Sequence, residues 1–456
     1  MKKSIIFITL LTILISALII PVHAMNYTPD EPLNCKVDLL INLDSNTTVI
    51  SKNADAKVAP ASLTKIMTAL VVLQNCDDLE RTVVVGSEAL ESLYNTGSSL
   101  SGLKSGEIIS VYNLLCCMLI PSGNDAAMVL ACEIGGTAEK FVDMMNAAAA
   151  KLGCKNTHFD NPHGLDSATH LTTANDLAVI TRAALKYSAF EKIVANATYD
   201  LPETNKNKAR TLVTTNHMIN KTRVSYYYEY CKGIKTGSTD NAGKCLISYA
   251  SKNGYNYLAV AMGGDYRLNE KEKVEENQAF MDTLKMYKWA FDNLSYEAVA
   301  KQDQYVTSVP VNFCWDMDSV RLVSKSEVLA LIPKGNDSQS VSFIPLKKPE
   351  SIDAPFKKGE YVCDADIMFS GVKIGTTKLV AAEDANLSVL LYGKAILKKI
   401  TANTVFKIII VLIVLGIVIY ILEFIRVNRK RRKSRELKIV KYNELERNSS
   451  NKKKKK

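Results

Sequence analysis

The stretch "APASLTKIMTALVVL", Ala59 to Leu73, is apolar on nearly every side, yet it carries a serine and a lysine three residues apart. Residues at that spacing share a helix face, and Pro60 suits a helix entry. Ser62 then falls in the first turn with Lys65 stacked beside it. A lysine is almost never fully buried unless it is paired. A hydroxyl next to a desolvated amine is one way to build an activated nucleophile. A helix start with a snorkelling lysine has the same residues, and the pattern Ser-x-x-Lys does not by itself decide between the two.

The ends of the chain point to its compartment. Lys2 and Lys3 precede an apolar run from Ile5 to Ile20 and the tetrapeptide "PVHA" ending at Ala24, which predicts a signal peptide over residues 1–24. Near the other end, Val405 to Ile425 reads "VFKIIIVLIVLGIVIYILEFI", with charges only near its margins, at Lys407 and Glu423. That length suits one bilayer-spanning helix. The basic run "RVNRKRRKSR" follows it directly, and such residues stay on the cytoplasmic side of a span. The expected location is therefore the cell membrane, with the bulk of the chain extracytoplasmic and a basic tail, 426–456, inside.

This placement changes the meaning of the net charge of +10. The tail holds 15 Lys/Arg against 3 Asp/Glu, and with Lys2 and Lys3 set aside the remainder carries −4. The basic balance belongs to a juxtamembrane segment suited to anionic lipid, and no nucleic-acid partner is expected. Ten cysteines in an exported chain of 456 residues would suggest disulfides. Their spacing argues otherwise: Cys116 and Cys117 are adjacent, Cys132 and Cys154 lie in apolar or helical context, and no Cys-x-x-Cys occurs. Most are expected to be small buried hydrophobes, with one or two bridges left open.

Between the ends, "KVDLLINLDSNTTVISKN" alternates like an antiparallel hairpin turning near Asp44 to Asn46. The helix of Ser62 follows. "VYNLLCCMLIPSGNDAAMVLACEIGG" reads as two helices broken at Pro121 and closed by Gly135–Gly136, "AEKFVDMMNAAAAKLG" as an amphipathic helix ending at Gly153, and "TTANDLAVITRAALKY" as another. From Tyr227 the pattern turns to strands. Strands before and after a helical centre predict an α/β chain of the α+β kind, an antiparallel sheet covered by helices, over residues 25–295. From Val299 to Leu397 short strands alternate with turns such as "PKGND" and "FKKGE", which predicts a small β-sandwich-like domain and a short link into the span.

Two more motifs give Ser62 and Lys65 their context. Ser122-Gly123-Asn124 sits at the helix break, and Lys235-Thr236-Gly237 lies in a strand-like run. Ser-x-x-Lys, then Ser-x-Asn, then Lys-Thr-Gly, in that order, is the signature of penicillin-recognising serine acyltransferases. The chain resembles the low-molecular-mass penicillin-binding proteins, the serine-type D-alanyl-D-alanine carboxypeptidases. The resemblance covers residues 30 to 290 by motif and extends to about 395 by layout. The stretch "HFDNPHGLDSATHLTTANDLA", His158 to Ala178, resembles the family segment between the second and third motifs. Relatives usually anchor through a C-terminal amphipathic helix, where this chain offers a full span.

The resemblance implies the penicillin-binding, β-lactamase-like transpeptidase fold and a set of roles. Ser62 is the nucleophile and Lys65, with a lowered pKa, its base; Ser122 relays a proton to the leaving amine. Asn124 holds Lys65 and the substrate amide. Lys235 supplies a positive field and attracts the terminal carboxylate, which Thr236 hydrogen-bonds. Gly237 allows close approach of the substrate backbone, and the N–H groups of Ser62 and Ser238 form the oxyanion hole. The implied partners are a peptidoglycan stem peptide ending in D-alanyl-D-alanine and, as covalent inhibitors, β-lactams. No cofactor or metal is expected.

Rival readings stay in view. His158, His163 and His170 crowd one segment with Asp160 and Asp166, but their spacing matches no metal pattern such as His-Glu-x-x-His. A β-lactamase would activate its deacylating water with a loop glutamate, and "NPHGLD" stands here instead. Trp289 and Trp315 read as packing. Arg267 is either a solvated loop residue or a substrate contact. The alternatives to carboxypeptidase action are endopeptidase cleavage of cross-links and a non-catalytic module binding wall peptide.

Overall fold

The structure, a computed structural model, describes residues 29, 31–269, 274–335 and 341–453. The signal peptide expected over 1–24 lies outside the described residues. The chain divides into two compact units. One comprises Met1–Gln302, Ser326–Leu346 and Ala365–Thr377; the other comprises Asp303–Lys325, Lys347–Asp364 and Lys378–Lys456.

The first unit is organised by a five-stranded antiparallel sheet. Strands β1 (Val37–Asn42) and β2 (Thr47–Lys52) form the expected hairpin, with Asn46 at φ +56° in its turn. The chain returns much later with β3 (Cys231–Thr239), β4 (Gly243–Lys252) and β5 (Tyr255–Gly264), and the strand order is β2-β1-β5-β4-β3. Every residue of β1 is buried because β1 pairs with β2 on one edge and β5 on the other, and both faces are covered. Alternation then sorts its side chains. Leu39 and Ile41 enter one core with Val260 and Met262, whereas Leu40 enters the opposite core with Phe280 and Tyr287.

The first face carries the helical insert between β2 and β3. Its central element is α1 (Lys65–Asn75), in which every residue from Lys65 to Leu73 is buried, so this helix has no solvent face for a lysine to reach. Around it pack α2 (Val111–Leu119), α3 (Asn124–Gly135), α4 (Ala138–Lys151) and α5 (Ala174–Ala184). Local chemistry starts these helices: the Thr137 and Thr173 hydroxyls accept from the N–H groups of Lys140 and Asp176 at the starts of α4 and α5. The opposite face is covered by α6 (Gln278–Asn293), including Phe280, Tyr287 and Phe291. Trp289 packs against this second core as expected. The ladder of Leu294–Ala300 with Val328–Pro333 also belongs to the first unit.

In the second unit Tyr305–Asn312 pairs antiparallel with Ser319–Ser324 and parallel with Ile352–Asp353. Trp315 is 70% exposed, so it does not pack as the sequence suggested; it lies in the irregular segment between two strands, where no element covers it. The end of the segment expected to be β-rich, 389–397, is instead helical and continues through most of the short link as α7 (Val389–Ala402), with Leu390, Tyr392 and Leu397 exposed. The final helix, α8 (Thr404–Lys453), contains the expected apolar stretch and is the one described helix long and apolar enough to cross a membrane. All ten cysteines are free and nine of them are buried, as small hydrophobes are.

Candidate active site

The turn before α1 decides the site. The chain does not enter the α-helix at Pro60 as expected. It makes a 3₁₀ turn, Ala61–Thr64, with Ala61 at φ +48°, and α1 begins at Lys65. The segment His158–Leu171 presses on this turn. Gly164, at φ +95°, lies so close that a Cβ there would sit 1.9 Å from the Ala61 carbonyl oxygen, so glycine is required on both counts. Thr64 Oγ1 donates to that same carbonyl at 2.8 Å and lies 2.8 Å from His170 Nε2. His170 Nδ1 accepts from the Asp160 N–H at 2.9 Å, which leaves Nε2 as the protonated nitrogen that donates to Thr64. Burial holds His170 down at about 4 and His163 at about 3, so both are neutral at pH 7.

Lys65 is wholly buried and its ammonium nitrogen meets three oxygens: Ser62 Oγ at 2.8 Å, Asn124 Oδ1 at 2.6 Å and the His163 carbonyl at 2.8 Å. Burial pushes its pKa well below the usual lysine value, the Lys235 charge pushes it further, and Asp125 pulls weakly the other way. In the neutral form that this shift favours, the amine has two N–H donors and one lone pair. The two oxygens that cannot donate, Asn124 Oδ1 and the His163 carbonyl, take the N–H groups. The lone pair is left for the Ser62 hydroxyl proton. That arrangement is a serine with its base already in hydrogen-bond contact.

The other motifs close around this pair. Helix α2 ends at Leu119 and α3 begins at Asn124, so Ser122 lies in the break, 5% exposed and at φ +69°. A non-glycine residue held there stores strain that the surroundings must offset. Asp125, next to Asn124, anchors the break by accepting from the N–H groups of Ser101, Gly102 and Leu103 at 2.9 to 3.1 Å. On β3, Lys235 is 1% exposed and donates to the Thr236 carbonyl, and burial lowers its pKa to about 7. A Cβ on Gly237 would meet Pro60 O at 3.1 Å and Ser62 N at 3.2 Å, so the close approach at this glycine is made by the chain's own nucleophile turn.

These groups border one cavity of about 230 Å³ in the first unit. Ser62, Ser122, Thr236, Gly237 and Ser238 line it, while Lys65, Asn124 and Lys235 stand behind them. The cavity also has walls that motif reading missed. Thr215 Oγ1 bonds Thr236 Oγ1 at 2.5 Å, and His217 stacks on Phe280 with ring centroids 5.3 Å apart. Lys244 and Tyr266 complete the rim. Lys244 had a sequence signal, because a hairpin turn after "KTGST" places it opposite Ser238 in the β3–β4 register. Thr215 and His217 had none, since they arrive through tertiary packing. Arg267 is exposed in the strand Tyr266–Asn269, not in a loop; it contacts Asp265 and Asn34 and is not among the residues lining the cavity.

The histidine segment is a scaffold for the nucleophile turn: His170 holds Thr64, and the His163 carbonyl holds Lys65. Among the described residues one group has metal-donor atoms close together, Cys35, Asp38 and Asp282, within 4.8 Å of one another. It does not fit a metal well. The Lys52 ammonium already stands 3.6 Å from Asp38 Oδ2, held by the Leu33 and Cys35 carbonyls, and occupies the place of a cation.

Comparison with known proteins agrees with this geometry. The family model described as D-alanyl-D-alanine carboxypeptidase matches residues 24–266, and that of the penicillin-binding protein 5 C-terminal domain matches 295–386. The D-alanyl-D-alanine carboxypeptidase DacF of Bacillus subtilis is 31% identical over 350 residues, 76% of this chain and 85% of the relative. DacA of Escherichia coli is 29% identical over 83% of this chain and 91% of its own length. Among solved structures, penicillin-binding protein 5 from Haemophilus influenzae superposes with a TM-score of 0.60 at 26% identity, covering 79% of this chain and all of that one. The Streptomyces K15 DD-transpeptidase does so with a TM-score of 0.52 at 27% identity, covering 58% of this chain and 100% of its own.

Proposed function

Because the chain belongs to the D-alanyl-D-alanine carboxypeptidase family of serine peptidases, we propose that it removes the terminal D-alanine from peptidoglycan stem pentapeptides through an acyl-enzyme on Ser62. The observation that carries this reading is the 2.8 Å contact of a buried, charge-depleted Lys65 amine with the Ser62 hydroxyl.

The steps follow from the positions. Ser62 Oγ attacks the carbonyl carbon of the penultimate D-alanine as its proton passes to Lys65 Nζ. The oxyanion is held by the Ser62 and Ser238 N–H groups, and one such donor contributes about 3 kcal/mol. The proton then moves by way of Ser122 to the leaving amine, the amide C–N bond breaks, and D-alanine departs. Asn124 keeps Lys65 and the substrate amide in register, Lys235 supplies a positive field, and Thr236 hydrogen-bonds the terminal carboxylate. Water then splits the Ser62 ester and releases the shortened peptide.

Penicillins would acylate the same serine and leave slowly. In support, the segment from His158 to Ala178 holds no glutamate, Asp160 is tied to Ser167 and Thr169, and Asp166 accepts from Thr239. We assign residues 25–295 to catalysis and 299–397 to the β-rich domain. Val405–Ile425 forms the membrane span, with the catalytic domain extracytoplasmic and the tail 426–456 cytoplasmic. The length of the apolar helix and the basic run behind it support that orientation.

The test is D-alanine release from a stem pentapeptide by the full chain in detergent, beside Ser62→Ala. Release should fall by about 10⁴-fold or more in the mutant. A penicillin-labelled wild type that releases no D-alanine would sink the trimming reading. Cleavage of cross-linked dimers by that same protein would replace it with endopeptidase action.

A further inference from the structure

We propose that Lys244 is the cation that receives the terminal carboxylate of the substrate and so selects peptides with a free C-terminus; this rests on the carboxypeptidase reading above.

The residues lining the catalytic cavity include serines, threonines, aromatics and a single charged side chain, that of Lys244. Lys235, the lysine of the third motif, does not line it. Its ammonium is buried and donates to the Thr236 carbonyl, so its charge acts on Lys65 and on the general field from outside the cavity lining. A substrate whose last group is a carboxylate loses water on entering this space, and its charge needs a donor there.

Lys244 is built to provide one. Its Nζ donates to Ser238 Oγ at 2.9 Å and stands 4.9 Å from the centroid of the Tyr266 ring. These contacts fix an otherwise floppy side chain on the rim. An ammonium has three donors, and the bond to Ser238 uses one. The Ser238 hydroxyl and the Tyr266 ring are its recorded contacts among the described residues, which leaves ammonium donors for a ligand. Position adds the decisive constraint. Ser238 contributes the N–H that faces the scissile carbonyl oxygen in the proposed mechanism, and the Ser238 hydroxyl holds Lys244. The ammonium therefore lies one side chain away from the scissile carbonyl, and in a carboxypeptidase substrate the carboxylate lies one residue away from it.

The experiment compares the full-length wild type, Lys244→Met and Lys244→Arg on two peptides. One ends in D-alanyl-D-alanine with a free carboxylate, and the other is the same peptide as its C-terminal carboxamide. The ratio of kcat/KM values, carboxylate over carboxamide, should fall about ten- to a hundredfold in Lys244→Met, mostly through KM, and recover in Lys244→Arg. A Lys244→Met variant that loses activity equally on both peptides, or on neither, would overturn the proposal, because a lysine that only braces Ser238 cannot distinguish the two ends. Failure of the wild type to cleave either peptide would instead overturn the carboxypeptidase reading, and this assignment with it.

Discussion

Lys65 and Asp38 are both wholly buried in the first unit, on opposite terms with their surroundings. Every donor or lone pair of Lys65 has a neutral partner, and through Ser62 it opens on a cavity. Asp38 lies in the middle of the sheet with neither carboxylate oxygen hydrogen-bonded, beside Asp282, whose Oδ1 is also without a partner. Burial and the Asp282 charge lift the Asp38 pKa to about 8, and Lys52 opposes them without prevailing. Both groups are therefore driven towards neutrality by desolvation. The difference lies in what neutrality yields. In Lys65 it frees a lone pair aimed at a hydroxyl. In Asp38 it leaves a protonated acid with no reacting group in front of it. A shifted pKa marks a site only where the geometry puts the resulting proton acceptor or donor to use.

Lys65→Met keeps the volume and removes the lone pair, so kcat/KM for D-alanine release should fall by about 10²- to 10⁴-fold. A fall of less than tenfold would mean that another group takes the Ser62 proton.

Asp38→Asn should leave that rate alone and change stability instead. The sign follows from the pKa values of 3.8 unfolded and about 8 folded. The folded state holds a proton that the unfolded chain releases, so the contribution of Asp38 is fully present below about pH 4 and is lost as pH rises through 8. Asparagine does not titrate. The mutant should match the wild type near pH 4 and gain about 1–4 kcal/mol over it by pH 9, read from denaturant melts. A difference that does not vary with pH would show Asp38 to be ionised throughout, in its pair with Lys52.

Much of the site was legible because its chemistry is local. Ser62 and Lys65 are one turn apart, Ser122 and Asn124 flank a helix break, and Lys235 to Ser238 run along one strand, so three short motifs in order located eight residues. The main sheet was legible in outline, since alternation in β1 and β2 and the strand runs after Tyr227 are period-2 signals. What pairs with what was not. That β1 lies between β2 and β5 is a long-range choice, made when the two cores are buried together. Ala61 at positive φ, the pressure of Gly164 on it and the His170–Thr64 link were equally hidden, because they depend on a loop a hundred residues further along. Asp38 was invisible for a different reason. In "KVDLLIN" an aspartate reads as a solvent-facing strand residue, and only α6, packed over that face with Asp282 beside it, buries it.

Lys65 is driven towards the neutral base first by its burial and then by Lys235, to the extent that Lys235 holds its own proton. The direct measurement is the pKa of Lys65 itself, from ¹³C NMR of lysine-labelled protein, assigned with Lys65→Arg and repeated in Lys235→Gln. The wild-type value should lie well below the ordinary 10.5, and Lys235→Gln should raise it and carry the ascending limb of the kcat/KM profile to higher pH. A Lys65 that titrates near 10.5, or one indifferent to Lys235, would contradict this origin of the base.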